Sequence, residues 1–481
     1  MFRIPALSSL FAIASLAHAE PWIEPGNPAI RHDVQLLADA GLIRSPVTTW
    51  PNSWPQVARE VLGVAPEAVP EPLQGAWARV ATRARSAMSK RGIALEARAA
   101  LAEEPTALRT FEDTPRENGE LGAAASFMGE RFAWRAEATV VADPSDGKTV
   151  RPDGSYVGVV LGNWILSAGY VEQWWGPGWE GSLILSNNAR PIPSLSIERN
   201  YADPFETPWL SWIGPWRLSF RLGQLEGDRD DFPDTRFFAM RVNFRPLESL
   251  EVGLSRSAQF CGEGRPCGLS EFWDLFIGND NEQAPEEQPG NQMAGFDARW
   301  TLPADLPAAL YGQLIGEDEA GFLPSKYLGL FGIEVWGAAG SGTWRAHVEY
   351  ADTACNFSRQ NPQFGCAYNN SIYTDGYTYY DRSIGHAMGG DSRSWSLGVL
   401  LVDGGGTTWN ALVRSIELNR AGVNGSHPIA PVPLDLDNLE VSATREYEFG
   451  TMRVGLGYDR FDGSADDADE WRGHIEWHKS F

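Results

Sequence analysis

The sequence predicts a mainly β chain: a transmembrane antiparallel β-barrel of about 18 strands, preceded by a small N-terminal α-helical bundle. Three observations predict it. First, from about residue 121 to the end, apolar residues recur with period two, as on Phe132, Trp134, Ala136, Ala138 and Val140. Second, the candidate strands run about 9–11 residues, the length a tilted strand needs to cross a bilayer. Third, their connections alternate between very short and long, as transmembrane barrels have short turns on one rim and longer loops on the other. In the last third, candidate strands 393–403, 407–419, 438–449, 450–461 and 470–481 are joined this way, and the final one ends on an aromatic residue, Phe481.

The N-terminus reads as an export signal. Arg3 is the basic region, Ile4 to Leu16 the short apolar core, and Ala17-His18-Ala19 a small-x-small cleavage site. That core is too short to span a bilayer as a helix, which takes about 20 residues. The organisation expected is a signal peptide at 1–19, a periplasmic helical bundle or plug at 20–110, and an outer-membrane barrel at 111–481. In the bundle, Pro28 opens one helix that Gly41 closes, Pro55 opens a second that Gly63 closes, and Leu73 to Arg91 forms a third before Gly92. A unit this small carries little core alone, so it is expected to pack on the barrel rim.

Parity along the strands places long loops outside at 227–235, 261–292, 318–326, 353–392, 420–437 and 462–469. Short turns fall on the periplasmic side at 246–249, 303–307 and 338–342. Two segments break the rule: 143–153 and 200–214 are long yet expected on the short-turn side. The alternate face of many strands carries arginine, at Arg217, Arg221, Arg241, Arg245, Arg299 and Arg345. In a closed barrel these pair with carboxylates across the lumen; in a channel they face water.

Net charge is −24, which argues against nucleic acid as a partner, because phosphates demand Lys and Arg. Four cysteines fall into local pairs, Cys261/Cys267 and Cys355/Cys366, each inside one long loop. Export favours disulfides, and neither pair has a histidine or a CxxC spacing that would suggest zinc. Carboxylate pairs such as Asp230/Asp231 and Asp466/Asp467 read as solvated loop acids rather than a glycosidase pair, whose separation must be about 5–10 Å. No GxSxG elbow accompanies His347 or His386, and Asp459 to Asp469 lacks an EF-hand spacing. No catalytic residue, metal or cofactor is expected.

The densest motif is Trp174-Trp-Gly-Pro-Gly-Trp179, followed by Asn187, Asn188 and Arg190. Gly176-Pro177-Gly178 forces a tight turn. Trp174, Trp175 and Trp179 offer aromatic faces for the C–H faces of a sugar, while the amides and guanidinium offer partners for hydroxyls. A structural knot inside the barrel is the alternative use of the same residues.

This run resembles the capsule assembly Wzi family, outer-membrane proteins that hold group 1 capsular polysaccharide at the cell surface. Three further stretches carry the resemblance: Ile30 to Ile43 with Thr49-Trp50-Pro51; Gly227 to Thr235 with Met240-Arg-Val242; and Gly262 to Pro266 with Gly278 to Asn281. The resemblance implies a lectin-like anchor for capsular or extracellular polysaccharide in an 18-stranded barrel, with the helical bundle in the periplasm. The six candidate sugar-binding residues come from their chemistry, not from the family. Other expected partners are outer-membrane lipid and polysaccharide export machinery, the latter through the helices. The alternative function is a porin-like channel for anionic or sugar solutes.

Overall fold

Eighteen antiparallel strands, each paired with its sequence neighbours, close on themselves where Ala468–Ser480 pairs with Ala94–Glu103. A short piece, Val150–Arg151, continues the strand Tyr156–Leu161 along the same neighbour. The computed structural model describes residues 21–89, 92–277, 290–303, 306–320, 323–425, 427–463 and 468–481. The expected export signal and the Asp466/Asp467 pair lie outside the described residues. No described helix is long and apolar enough to cross a membrane.

Period-two alternation explains the wall. On Trp216–Gln224, Arg217, Ser219 and Arg221 are buried toward the lumen while Trp216, Leu218, Phe220 and Leu222 point outward. On Arg393–Val402, Leu397 and Val399 point outward and are exposed, between buried Ser394, Ser396 and Leu400. Repeated round the barrel, this produces an exposed apolar belt with a polar interior, the reverse of a water-soluble protein and what a bilayer requires.

One rim carries short turns, at 129–131, 162–163, 248–249, 340–341, 403–407 and 448–449. The other carries the long segments 104–118, 143–155, 170–193, 225–235, 353–392 and 419–433. Two expectations need correcting. The barrel begins at Ala94, not at 111, and this additional strand puts 143–155 on the long-loop rim. Segment 200–215 stays on the short-turn rim, where it meets the helices. There Arg59 pairs with Asp203 at 2.7 Å and the Ala202 N–H donates to Gln56 at 3.0 Å.

Three helices precede the barrel: α1 (Pro28–Asp39), α2 (Trp54–Leu62) and α3 (Gln74–Met88). Asn27 and Ser53 cap α1 and α2 by accepting from Ile30 N–H and Gln56 N–H, and Pro occupies the first turn of both. Val34, Leu37, Val57, Val61, Val80 and Ala84 bury together, each Val or Leu contributing about 1.5–3 kcal/mol. Lumen-facing strand residues then hold the segment. Arg299 forks onto Asp39 at 2.6 and 2.9 Å, Glu251 accepts from the Val47 and Thr48 N–H groups at 2.9 Å, and Arg217 donates to the Thr49 and Pro51 carbonyls. The helical segment therefore sits in the short-turn end of the lumen, in contact with the wall, rather than only against its rim.

Both local cysteine pairs are disulfides, Cys261–Cys267 and Cys355–Cys366.

Candidate functional site at the long-loop mouth

The tryptophan-rich stretch runs through the barrel interior. Trp174 and Trp175 pair as a two-residue strand with Trp50 and Thr49. Their indole N–H groups are used internally: Trp174 donates to the Gly178 carbonyl at 3.0 Å, Trp175 to Gln173 at 3.1 Å, and Trp179 to Glu334 at 2.8 Å. Arg31 of α1 is clamped between the Trp179 and Phe111 rings, 4.1 and 4.4 Å from their centroids, and donates to the Pro177 and Gly178 carbonyls. The glycines are required here. Gly176 has φ +139°, and a side chain at Gly181 would run into the His386 ring.

Asn187 donates to the Phe111 carbonyl, Asn188 to the Ser383 carbonyl at 2.9 Å, and Arg190 forks onto Asp153 with a further bond to Asp146, all three at 2.8 Å. All six sequence-selected residues are at most 8% exposed. They present no face to a ligand arriving from solvent. Their contacts make them the centre of the filled lumen and the support for what lies above it.

What lies above is a hairpin of the long segment 353–392, in which Thr378–Tyr379 pairs with Arg382–Ser383. Its two-residue tip is Tyr380 and Asp381, with φ of +48° and +59°. Two left-handed residues are what a tight hairpin with the proper twist demands, normally met by Asn, Asp or Gly. A tyrosine there is a strained choice, and such strain concentrates where a side chain has a task. The Tyr380 ring lies over Arg190, 5.0 Å from ring centroid to guanidinium, and over the Lys148 ammonium at 5.5 Å. Asn188, on the Ser383 carbonyl, and Arg190, under the ring, thus hold the hairpin from below.

Three long segments converge around this tip. Lys148 reaches Asp228 at 3.0 Å. Buried Arg229 donates to the Thr378 and Gly376 carbonyls and pairs with Asp231 at 2.9 Å. The Asp231 and Asp375 backbone N–H groups each donate to the other residue's carboxylate across the two loops. Burial pushes the Glu226 carboxyl up to about 7, against the pull of Arg229. Burial, with Arg116 and Arg109 nearby, pulls the Arg382 guanidinium down to about 10, and among the described residues no carboxylate lies within ion-pair distance of it. The result is a surface bearing a partly exposed ring, an ammonium and the carboxylates of Asp228, Asp230 and Asp381, with the Arg382 guanidinium largely buried. A ring face stacks on C–H surfaces, and the polar groups exchange hydrogen bonds with hydroxyls. Sequence reasoning missed Tyr380 and Arg382, although Tyr377-Thr-Tyr-Tyr-Asp-Arg382 is the most tyrosine-dense run of the chain.

Residues 92–470 match the family described as capsule assembly protein Wzi. The chain belongs to that family. It is 33% identical over 417 residues to a Klebsiella pneumoniae protein described as an uncharacterised 55.8 kDa protein in the cps region, which covers 86% of this chain and 80% of that one. It matches the solved structure of Escherichia coli Wzi, described as an outer-membrane protein involved in group 1 capsule assembly and as a carbohydrate-binding β-barrel. There the TM-score is 0.85 at 28% identity, over 96% of this chain and 100% of that one. A Pseudomonas aeruginosa barrel, OccK3, aligns at 14% identity and TM-score 0.43, covering 81% and 95% of the two chains, too distant to bear on function.

This Wzi-family member is thus an outer-membrane barrel. Its inward arginines are used up internally: Arg221 pairs with Glu198, Arg241 with Asp297, and Arg299 and Arg345 with Glu334. Arg217 and Arg245 bond backbone carbonyls of the N-terminal segment. All six are at most 7% exposed, so none lines a water-filled passage.

Proposed function

We propose that this chain is a non-enzymatic, lectin-like outer-membrane protein that anchors capsular or extracellular polysaccharide at the cell surface and supports capsule assembly. In this reading the long loops face outward and the helices face the periplasm. The observation that carries it is the convergence of three long segments on a strained, partly exposed Tyr380 above a filled lumen. The carbohydrate-binding description of E. coli Wzi supports it. Tyr380 stacks on sugar rings, while Arg382, Lys148 and the surrounding carboxylates bond hydroxyls. Trp174, Trp175, Trp179, Asn187, Asn188 and Arg190 serve as the scaffold that fixes this surface. Weak contact with one repeat suffices, because rebinding along a long polymer raises the effective concentration. A role for the helical end in meeting export machinery belongs to the same proposal.

The test is binding of purified surface polysaccharide from the host to the purified protein. Tyr380→Ala, with barrel folding checked by heat-dependent gel mobility, is expected to weaken binding about tenfold, the equivalent of about 1.4 kcal/mol. Binding equal to the wild type in folded Tyr380→Ala and Arg382→Ala would remove this surface from the account.

A further inference from the structure

Helix α4, Leu269–Ile277, follows the Cys261–Cys267 disulfide and lies against the outside of the barrel rather than over its mouth. Strand parity establishes this. On Arg236–Leu247 the lumen-facing set includes Arg241, which bonds Asp297 and Thr49. Phe238 is three positions away from Arg241 and so faces outward. On Leu250–Phe260, Glu251 and Gln259 face the lumen, bonding Thr48 and the Gly376 carbonyl, so Leu254 and Phe260 face outward. Leu254 is 51% exposed, as an uncovered wall residue is, yet Phe238 and Phe260 are only 1% and 5% exposed. The cover is α4. The Phe272 ring lies 5.8 Å from Phe238 and 5.6 Å from Phe260, and the Phe276 ring 6.0 Å from Phe238. Arg256, also on the outer face, donates to the Phe276 carbonyl at 2.9 Å and ties down the helix C-terminus.

The side of α4 turned away from the wall carries Leu269 and Trp273, four residues apart and 89% and 58% exposed. Farther along the same outer face, beyond Arg256, Leu254 is exposed. The height of α4 matches the interface: Phe238 lies two residues inside the long-loop end of its strand, as do Tyr350 and Trp395, whose rings meet at 4.7 Å on another part of the wall. Rings at that level mark the membrane–water boundary of a barrel.

We infer that α4 is an interfacial helix lying in the lipid leaflet beside the long-loop rim, with Leu269 and Trp273 in contact with lipid. Amphipathic helices that lie flat at a headgroup boundary carry tryptophan, leucine and phenylalanine on the apolar side, as α4 does, while its polar residues are Ser270, Glu271 and Asp274. The inference rests on the barrel's place in a membrane and not on what the loop surface binds.

The test uses the full chain, both disulfides closed, in vesicles of phosphatidylcholine and phosphatidylglycerol. A nitroxide is attached at Trp273→Cys. Leu254→Cys serves as the lipid reference and Asp230→Cys as the water reference. Collision with oxygen, which concentrates in lipid, is compared with collision with a water-soluble nickel chelate. The Trp273→Cys label is expected to follow Leu254→Cys, with nickel access several-fold below that of Asp230→Cys. A Trp273→Cys label that follows Asp230→Cys overturns the inference. Should Trp273→Cys fail to close its disulfides, the same comparison at Leu269→Cys decides.

Discussion

Tyr380 separates two quantities that a mutation usually changes together. A non-glycine residue in the left-handed region costs about 1 kcal/mol or more, so Tyr380→Gly relieves the hairpin tip while deleting the ring. The expected outcome is slower hydrogen exchange at the 376–385 amides, by up to about fivefold for 1 kcal/mol, together with loss of polysaccharide affinity. Slower exchange with unchanged affinity would assign the tyrosine no role in binding. At this scale the sequence was a partial guide. Tryptophan density marked 174–179 as special, and it is, but burial is set by what packs around a ring. Nothing in Trp174-Trp-Gly-Pro-Gly-Trp179 says that Phe111, Arg31 and Glu334, distant in the chain, close over it. The smaller signal at Tyr380 depended on a turn conformation that the dipeptide Tyr-Asp does not advertise.

At the scale of elements, the segment 419–433 illustrates a pH response. The His427 ring is buried, its Nδ1 accepting from the Ile429 and Ala430 N–H groups at 3.2 and 3.0 Å and its Nε2 meeting the Ser392 hydroxyl at 3.2 Å. Burial pulls its value down to about 4, so the folded loop binds the neutral ring. Stability from this group is fully present above the ordinary histidine range near 6.5 and is lost as pH falls toward 4. Asp391, pushed up to about 6 by burial, acts with the opposite sign. Hydrogen exchange at Asn424 to Ala430, corrected for intrinsic rates, is expected to speed up between pH 6.5 and 4, and His427→Gln to flatten that dependence. An unchanged slope in His427→Gln would place the titration elsewhere. Strand legibility followed side-chain contrast. Trp216–Gln224 alternates aromatic and aliphatic residues with arginine and was readable. Ala94–Glu103 is half alanine and was read as part of the helical region. Its Glu96 and Arg98 sit on the lumen face and Leu95 and Leu101 on the outer one, but alanine blurs the period. Helix propensity lost there to hydrogen bonding with strands on both sides.

For the whole molecule, the interior decides between an anchor and a channel. The α1–α3 segment fills one end of the lumen, 170–193 its centre, and the hairpin of 353–392 the other. In planar bilayers the wild-type protein is expected to show no steady conductance. Removing residues 353–392, bridged by a short turn, is expected to leave it silent still, because Arg299, Arg345 and Glu334 remain locked on α1 and Trp179. Regular openings in the wild type would favour the porin-like alternative. The closed barrel and its strand number were legible because lipid imposes a simple pattern on a wall. The filled lumen was not, because a plug and a solvated loop have similar compositions until their partners are known. The measurement that bears most directly on the central claim is made in the native host, by deleting the gene and weighing polysaccharide in the cell-bound and medium fractions. Total production is predicted to hold while material moves from cells to medium, with retention restored by the wild-type gene and not by Tyr380→Ala. Unchanged fractions after deletion would contradict the anchor.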